Sequence, residues 1–233
     1  MTTKVRMTLK HANGSTADID VIVHPEWAPL GAERFLQLID AGYFNNCPLY
    51  RYIPGFIVQW GIPTEPTEWR KWGENKIPDD PVKKGNQLAT LSFATSGPST
   101  LRVARPPARD FLAAPFTFRT NWPIFCGTPS TGSAADDLGA AHAACAGWLA
   151  VCACATADMR GSQIFVNLND NASQLDDQGF AAFAELAEPA AALDALNKCA
   201  EVKGIDQPSA KDQGAAYFKN FPALSVWASA VRL

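Results

Sequence analysis

The sequence predicts a mainly β domain, closed or nearly closed on itself, with two helices. Residues 4–9 and 17–24 alternate apolar and polar side chains on either side of Asn13-Gly14, a dipeptide that favours the positive φ angles of a hairpin turn. Similar short strand patterns recur along the chain, whereas only two segments have the apolar spacing of a helix. Because strands dominate, we expect a sheet that curves to enclose its own core.

The first helix is predicted over residues 28–44, because apolar side chains recur there at helical spacing. Pro29 suits the first turn of this helix, and Gly42 suits its C-terminal cap. Residues 49–61, LYRYIPGFIVQWG, then predict two strands joined by a turn at Pro54-Gly55.

Residues 62–86 are rich in proline and charge, so they predict a long irregular surface loop. The acidic pair Asp79-Asp80 within this loop is interpreted as part of a solvated turn. The remaining strands are predicted over residues 87–96, 161–168 and 224–232, and the second helix over residues 189–199.

Composition narrows the class of protein. The 233 residues are 47% hydrophobic and 18% charged, which suits a folded globular core. The net charge of −3 argues against a nucleic-acid-binding surface. Four of the six cysteines lie within residues 126–154, which is no regular disulfide framework and favours a reducing compartment. The first 14 residues lack the apolar core of a signal peptide, so we expect a cytoplasmic protein.

Arg51 is the one cation in a stretch that is otherwise suited to packing. Taken alone, it is best interpreted as an edge-strand arginine that lies over neighbouring tyrosines. The three histidines, His11, His24 and His142, are scattered and indicate no nucleophile–base pair. The chain also lacks a phosphate-binding glycine-rich loop and the HExxH pattern of a zinc site.

What remains is an apolar surface with one cation and two amides. Its members are Arg51, Gln59 and Gln163, beside Phe56, Ile57 and Phe165. Such a surface suits rotation about an Xaa–Pro bond, whose barrier of about 20 kcal/mol comes from delocalisation of the nitrogen lone pair. A guanidinium that donates a hydrogen bond to the prolyl nitrogen would localise that pair, and arginine is both permanently charged and rigid. No cofactor or metal is needed for this reaction.

Several motifs, in order, resemble those of the cyclophilin-type peptidyl-prolyl cis-trans isomerases. They are GYF at 42–44, YRYIPGFIVQWG at 50–61, LSFATSGPST at 91–100, GSQIFVNL at 161–168 and LDDQGFAAFAEL at 175–186. The combination is specific, whereas each motif alone is weak. The resemblance implies a closed eight-stranded antiparallel β-barrel capped by two α-helices. It also implies an isomerase that acts on Xaa–Pro bonds of peptides and unfolded proteins and assists folding.

The resemblance assigns roles to individual residues. Arg51 matches the catalytic arginine of the family, and Gln59 matches the amide that holds this arginine and the substrate. The proline-pocket wall corresponds to Phe56, Ile57, Phe165 and Leu175, and the peptide groove corresponds to Ala94, Thr95 and Gln163. Tyr50 and Phe180 complete the expected substrate-binding set. The expected partners are proline-containing peptides or unfolded proteins, with no nucleic acid and no membrane, and the protein is expected to be a monomer.

Some positions depart from the family pattern. Tyr50 replaces a histidine, Thr95 replaces an asparagine, and Gln174 replaces a tryptophan found in members that bind cyclosporin well. The LDDQGF segment is one residue longer than usual and lacks a histidine, a space that Phe180 would fill. These changes support an alternative, a module that binds proline-containing segments but isomerises them poorly.

Residues 101–159 interrupt the family pattern with a low-complexity segment, expected to be a poorly ordered loop within a single domain over residues 1–233. It is a lineage-specific excursion, a partner-binding loop or translated non-coding sequence, and in the last case the chain is a faulty product, inactive as written. His142, Cys145, Cys152 and Cys154 have no standard zinc-finger spacing, so no metal site is predicted. The uncharged residues 138–157 are rejected as a membrane span because they lie within the domain.

Overall fold

The computed structural model describes residues 1–95 and 160–233, with Thr95 described in its backbone only. The predictions made for residues 101–159, including the inserted loop and the histidine and cysteines within it, lie outside the described residues. In the part of the chain that the structure describes, no helix combines the length and the apolar character needed to cross a membrane.

Nine strands form one antiparallel sheet in the described residues. They are β1 (Thr3–Lys10), β2 (Thr16–Val23), β3 (Cys47–Pro48), β4 (Arg51–Ile53), β5 (Ile57–Trp60), β6 (Thr90–Thr95), β7 (Arg160–Asn167), β8 (Ala182–Leu186) and β9 (Val226–Arg232). Their order across the sheet is β3-β9-β1-β2-β8-β6-β7-β5-β4. The predicted hairpin turns are present, with Gly14 at φ 85° and Gly55 at φ 70°.

The sheet is curled, and its two edge strands are almost consecutive in the chain. Only Leu49 and Tyr50 separate β3 at one edge from β4 at the other. Leu49 also donates its backbone N–H to Ser225 beside β9, at 2.9 Å. The mainly β, barrel-like fold is therefore confirmed. The described strands number nine, and the sequence pattern does not reveal two of them, the two-residue strand Cys47–Pro48 and the strand Ala182–Leu186.

Both predicted helices are present. They are α1 (Pro29–Asp40) and α4 (Pro189–Leu196). The described residues also contain short helical turns that were not predicted: α2 (Pro66–Glu68), a π-helix (Trp69–Gly73), α3 (Ala172–Leu175), a 3₁₀-helix (Asp176–Gln178), α5 (Gln207–Gln213) and α6 (Ala215–Phe218). Each has seven residues or fewer, which is too short for a recognisable apolar period.

The interpretation of residues 62–86 as an irregular surface loop is wrong in part. The segment contains α2 and the π-helix, and it buries Trp69, Asp80 and Asn86. The Asp80 carboxylate accepts hydrogen bonds from the backbone N–H groups of Leu30 and Gly31 at the start of α1. It also pairs with Arg160, so Asp79-Asp80 is not a simple solvated turn.

The main core lies inside the curled sheet and under α1. Alternate residues of the strands face it, including Val58, Trp60, Ile164 and Val166 of β5 and β7. Because side chains alternate across a strand, Gln59, Gln163 and Phe165 face the other way, onto the outer surface of the sheet. These strands therefore carry the core on one face and a second, separate set of side chains on the other.

Candidate functional site

A cavity of about 360 Å³ lies on the outer surface of β5 and β7. Its described lining consists of Arg51, Phe56, Ile57, Gln59, Ala94, Gln163, Phe165, Leu175, Phe180, Gln207 and Lys211. Nine of the eleven residues expected to form a site are in this set. The exceptions are Tyr50, which lies behind the wall, and Thr95, whose side chain is not described.

The apolar side of the cavity is a cluster distinct from the main core. Ile57, Phe165 and Leu175 are buried in it, with exposed fractions of 5%, 3% and 7%. Half-buried Phe56, Ala94 and Phe180 pack against them. The rings of Phe165 and Phe180 meet edge to face, with centroids 5.6 Å apart, which is a favoured aromatic geometry. The result is a hollow with aromatic and aliphatic walls.

The polar side of the cavity is a row of hydrogen-bonded side chains. Arg51 and Gln59 are directly opposite in the β4–β5 hairpin, and the Arg51 guanidinium Nη1 donates to Gln59 Oε1 at 3.1 Å. Gln59 Nε2 donates in turn to Gln163 Oε1 at 3.1 Å. The row therefore fixes one N–H of the guanidinium, while the remaining donors of the exposed Arg51 are available to a ligand.

Tyr50 supports this row from behind rather than lining the cavity. It is 2% exposed, and its hydroxyl donates to Gln163 Oε1 at 2.9 Å. Burial raises the pKa of the Tyr50 hydroxyl well above its ordinary value, so it remains a neutral donor at physiological pH. Gln174 is exposed and is not part of the described lining.

Two lining residues were not predicted from the sequence, Gln207 and Lys211 of α5. They are four residues apart, so they lie on the same face of this helix. Gln163 Nε2 donates to Gln207 Oε1 at 3.4 Å, which extends the amide row onto the helix. The sequence signal for α5 is Asp206, a residue type that favours the N-cap position of a helix. In the structure its side chain accepts a hydrogen bond from the Ser209 backbone N–H at 3.0 Å. That signal indicates a helix start but says nothing about a cavity.

A buried amide network holds the apolar wall in place. Asn86, fully buried, donates from Nδ2 to Asp176 Oδ1 and to the Phe180 carbonyl oxygen, each at 2.7 Å. Asn171 Nδ2 donates to the Phe56 carbonyl oxygen at 2.9 Å. Two wall residues from distant parts of the chain are thus tied by their backbones to the same body of the protein.

The histidines that the structure describes lie away from this cavity. His11 hydrogen-bonds with Ser225, and His24 lies between Glu26 and Glu185. Within residues 1–95 and 160–233 no three histidine, cysteine or acidic side chains are grouped so that they could hold a metal ion. The described lining offers hydrogen-bond donors and apolar contacts rather than a nucleophile with its base.

The chain is similar in sequence to proteins named peptidyl-prolyl cis-trans isomerase-like. It is 36% identical over 91 residues to a peptidyl-prolyl cis-trans isomerase-like 3 of Dictyostelium discoideum, covering 37% of this chain and 55% of that protein. It is also 36% identical over 91 residues to a protein of the same name from Neurospora crassa, covering 36% and 54%. The chain thus matches about half the length of these curated relatives.

The fold also matches a solved structure, a cyclophilin type peptidyl-prolyl cis-trans isomerase of Cryptosporidium parvum. The TM-score is 0.54 at 17% identity, and the match covers 100% of this chain and 98% of that one. At this identity the likeness concerns the fold alone. The family model described as cyclophilin type peptidyl-prolyl cis-trans isomerase/CLD matches residues 5–213, which is most of the sequence. The chain therefore belongs to the cyclophilin-type peptidyl-prolyl cis-trans isomerase family.

Proposed function

We propose that this chain catalyses cis–trans isomerisation of Xaa–Pro bonds in peptides and unfolded proteins. One observation carries the proposal: the Arg51 guanidinium, held by Gln59, lines a cavity whose apolar side includes Phe56 and Phe165. The solved Cryptosporidium parvum relative was also crystallised in the presence of the dipeptide Ala-Pro. The apolar side of the cavity suits a proline ring, and the polar side suits the backbone of the peptide that carries it.

The chemistry follows from what holds an Xaa–Pro bond planar. The barrier of about 20 kcal/mol arises because the nitrogen lone pair is delocalised into the carbonyl group. Arg51 would donate a hydrogen bond to the prolyl nitrogen as the bond twists, because the lone pair is then localised there. The interaction is stronger in the twisted state than in either planar state, so it lowers the barrier rather than only binding the peptide.

The surrounding residues would fix the geometry of this donor. The apolar wall would hold the ring while the other side of the bond turns. Gln59 orients the guanidinium plane, and Gln163, which accepts from both Tyr50 and Gln59, orients Gln59. Arginine suits the role because its planar fork is rigid and it keeps its charge at every physiological pH.

We further propose that the protein acts on its clients as a monomer and in the cytoplasm. Of the cysteines that the structure describes, Cys47 and Cys199 are free and buried. Burial raises the pKa of both thiols, that of Cys47 to about 12, so they are protonated and unreactive. A reducing compartment suits such residues.

The second candidate is a module that binds proline segments without turning them over. The specific observation behind it is the polar row itself, since Tyr50 and Gln163 could also serve only to anchor an extended peptide. Peptide titration separates the two functions, because the module would bind at micromolar concentration without accelerating isomerisation.

The proposal is tested by protease-coupled cis-to-trans conversion of a proline tetrapeptide. We expect wild-type protein to accelerate conversion, and Arg51→Ala to lower kcat/KM by about a hundredfold, as for removal of other transition-state donors. Arg70→Ala, which removes an exposed arginine outside the described lining, is the matched control and should leave the rate unchanged. Equal rates for wild type and Arg51→Ala would remove Arg51 from the mechanism.

A further inference from the structure

The described part of the cavity lining carries positive charge without a balancing acid. Of its eleven described residues, Arg51 and Lys211 are the charged ones, and both are cations. We propose that the cavity selects proline peptides that carry an acidic side chain within two residues of the proline, and that Lys211 is the residue that determines this preference. The substrate class deepens the proposed function and rests on it, whereas the charge preference itself can be measured by binding alone.

Lys211 is held by an aromatic ring rather than by a carboxylate. Its Nζ lies over the Trp69 ring, 4.7 Å from the centroid. Among the residues that the structure describes, the ion pairs include neither Lys211 nor Arg51. Asp212, the next residue, is exposed and attracts the ammonium only through its charge. The half-buried ammonium is therefore still available to a bound carboxylate.

A second ammonium lies close enough to Lys211 for their charges to interact. Lys76 Nζ lies over the same Trp69 ring, 5.7 Å from its centroid, and donates to the Gly73 carbonyl oxygen. Partial burial lowers the pKa of both lysines, the charge of Lys211 lowers that of Lys76 further, and the charge of Glu74 offsets part of this lowering at Lys76. A carboxylate bound nearby would offset both the burial and the repulsion.

The amide row gives the acidic side chain a direction relative to the proline. It runs from Arg51 through Gln59 and Gln163 to Gln207, which is one helical turn from Lys211. If the proline ring occupies the apolar hollow beside Arg51, the peptide continues along the amides towards α5. The acidic residue would then lie on the α5 side of the ring, at the end of the row opposite Arg51.

The expected size of the preference follows from the partial exposure of Lys211. A solvent-accessible ion pair contributes little to the free energy of binding. Its contribution corresponds to about a two- to fivefold difference in the dissociation constant. The effect should weaken as salt is raised, because an accessible pair is screened at ionic strengths above about 0.1 M.

The proposal is tested with pairs of labelled proline peptides. The two members of a pair are identical except that one has glutamate where the other has glutamine. The exchanged residue is placed in turn at each of the two positions before the proline and each of the two positions after it. Dissociation constants are measured by fluorescence anisotropy at low and high salt. For at least one position we expect wild type to bind the glutamate peptide about two- to fivefold more tightly. Lys211→Met should abolish the difference, Lys211→Arg should retain it, and the exposed Lys219→Met should leave it unchanged.

Isomerisation of the glutamine peptides, measured in parallel, separates this proposal from the function on which it rests. Catalysis without a glutamate preference at any position would overturn the role of Lys211 and leave the isomerase intact. A preference that disappears in Lys211→Met, but without catalysis, would support the charge preference and overturn the isomerase. A preference that persists in Lys211→Met would also overturn the role of Lys211.

Discussion

Replacing Asp80 with alanine should destabilise the domain far more than replacing its neighbour Asp79, although both pair with Arg160. The side chains of Asp80 and Arg160 are each 2% exposed, whereas that of Asp79 is 38% exposed. Asp80 also accepts the backbone N–H groups of Leu30 and Gly31, at 3.2 and 2.8 Å, where α1 begins. One carboxylate therefore joins the start of β7 to the start of a core helix.

The expected loss in the free energy of unfolding depends on which buried groups each substitution leaves without a partner. Asp80→Ala leaves the buried Arg160 Nη1 and two backbone donors without their acceptor, and breaking a buried pair costs about 3–5 kcal/mol. Arg160 keeps its contacts with Asp79 and the Pro78 carbonyl oxygen, so we expect about 3 kcal/mol, the lower end. Asp79→Ala removes a partly solvated partner and should cost about 1 kcal/mol or less.

Equilibrium unfolding in urea measures both values. We expect a lower midpoint and an unchanged slope for Asp80→Ala, because the area exposed on unfolding is the same. The double variant Asp80→Ala/Arg160→Met should be more stable than the sum of the two single changes predicts, since the residues are in contact. If Asp80→Ala costs no more than Asp79→Ala, the buried pair does not stabilise the junction as argued.

Three other predictions follow from the described residues. Deleting residues 101–159 should leave a folded, active domain with a higher melting temperature. Thr95 and Arg160 are paired in the sheet, and the five residues 96–100 that then connect them suffice for neighbouring strands. Calorimetry and the isomerase assay would show unfolding or inactivity if this is wrong. Asn86→Ala should raise KM more than it lowers kcat, because it frees the backbone of the pocket wall, and an unchanged KM would contradict this. Hydrogen bonds and ion pairs, first of all with Arg6, lower the pKa of Asp20 to about 2. The stability that Asp20 contributes is therefore present above about pH 4 and is lost as pH falls towards 2. Asp20→Asn should reduce the pH dependence of the free energy of unfolding in this range, and an unaltered pH profile would refute the prediction.

Seven of the nine described strands and the Arg51–Gln59 pair could be predicted because their signals are local. Arg51 and Gln59 are eight residues apart in a hairpin whose turn residues fix the register, so the sequence places them opposite each other. The apolar wall likewise follows from strand alternation in β5 and β7 together with the family motifs. The Arg51–Gln59 pair needs no knowledge of distant parts of the chain, whereas the wall joins β5 to the distant β7 and was predicted only through the family motifs.

The errors arose where a partner is distant in the sequence or an element is short. Asp80 looks solvated beside Lys83 and Lys84, and nothing local reveals that Arg160 is its partner. Gln207 and Lys211 lie on a seven-residue helix, which is too short to show which face is buried. Their place at the cavity depends on how the chain between α4 and β9 folds back over the sheet.

The most direct test of the isomerase is exchange NMR spectroscopy of a proline peptide at equilibrium, with a small fraction of protein added. Uncatalysed exchange takes about 10–100 s at 25 °C, so no cross-peaks between cis and trans signals form at a mixing time of about 1 s. We predict that wild type and Arg70→Ala produce these cross-peaks without changing the cis-to-trans ratio, whereas Arg51→Ala does not. Peptide signals that shift on titration with wild type, while cross-peaks remain absent, would contradict catalysis and leave only a binding module.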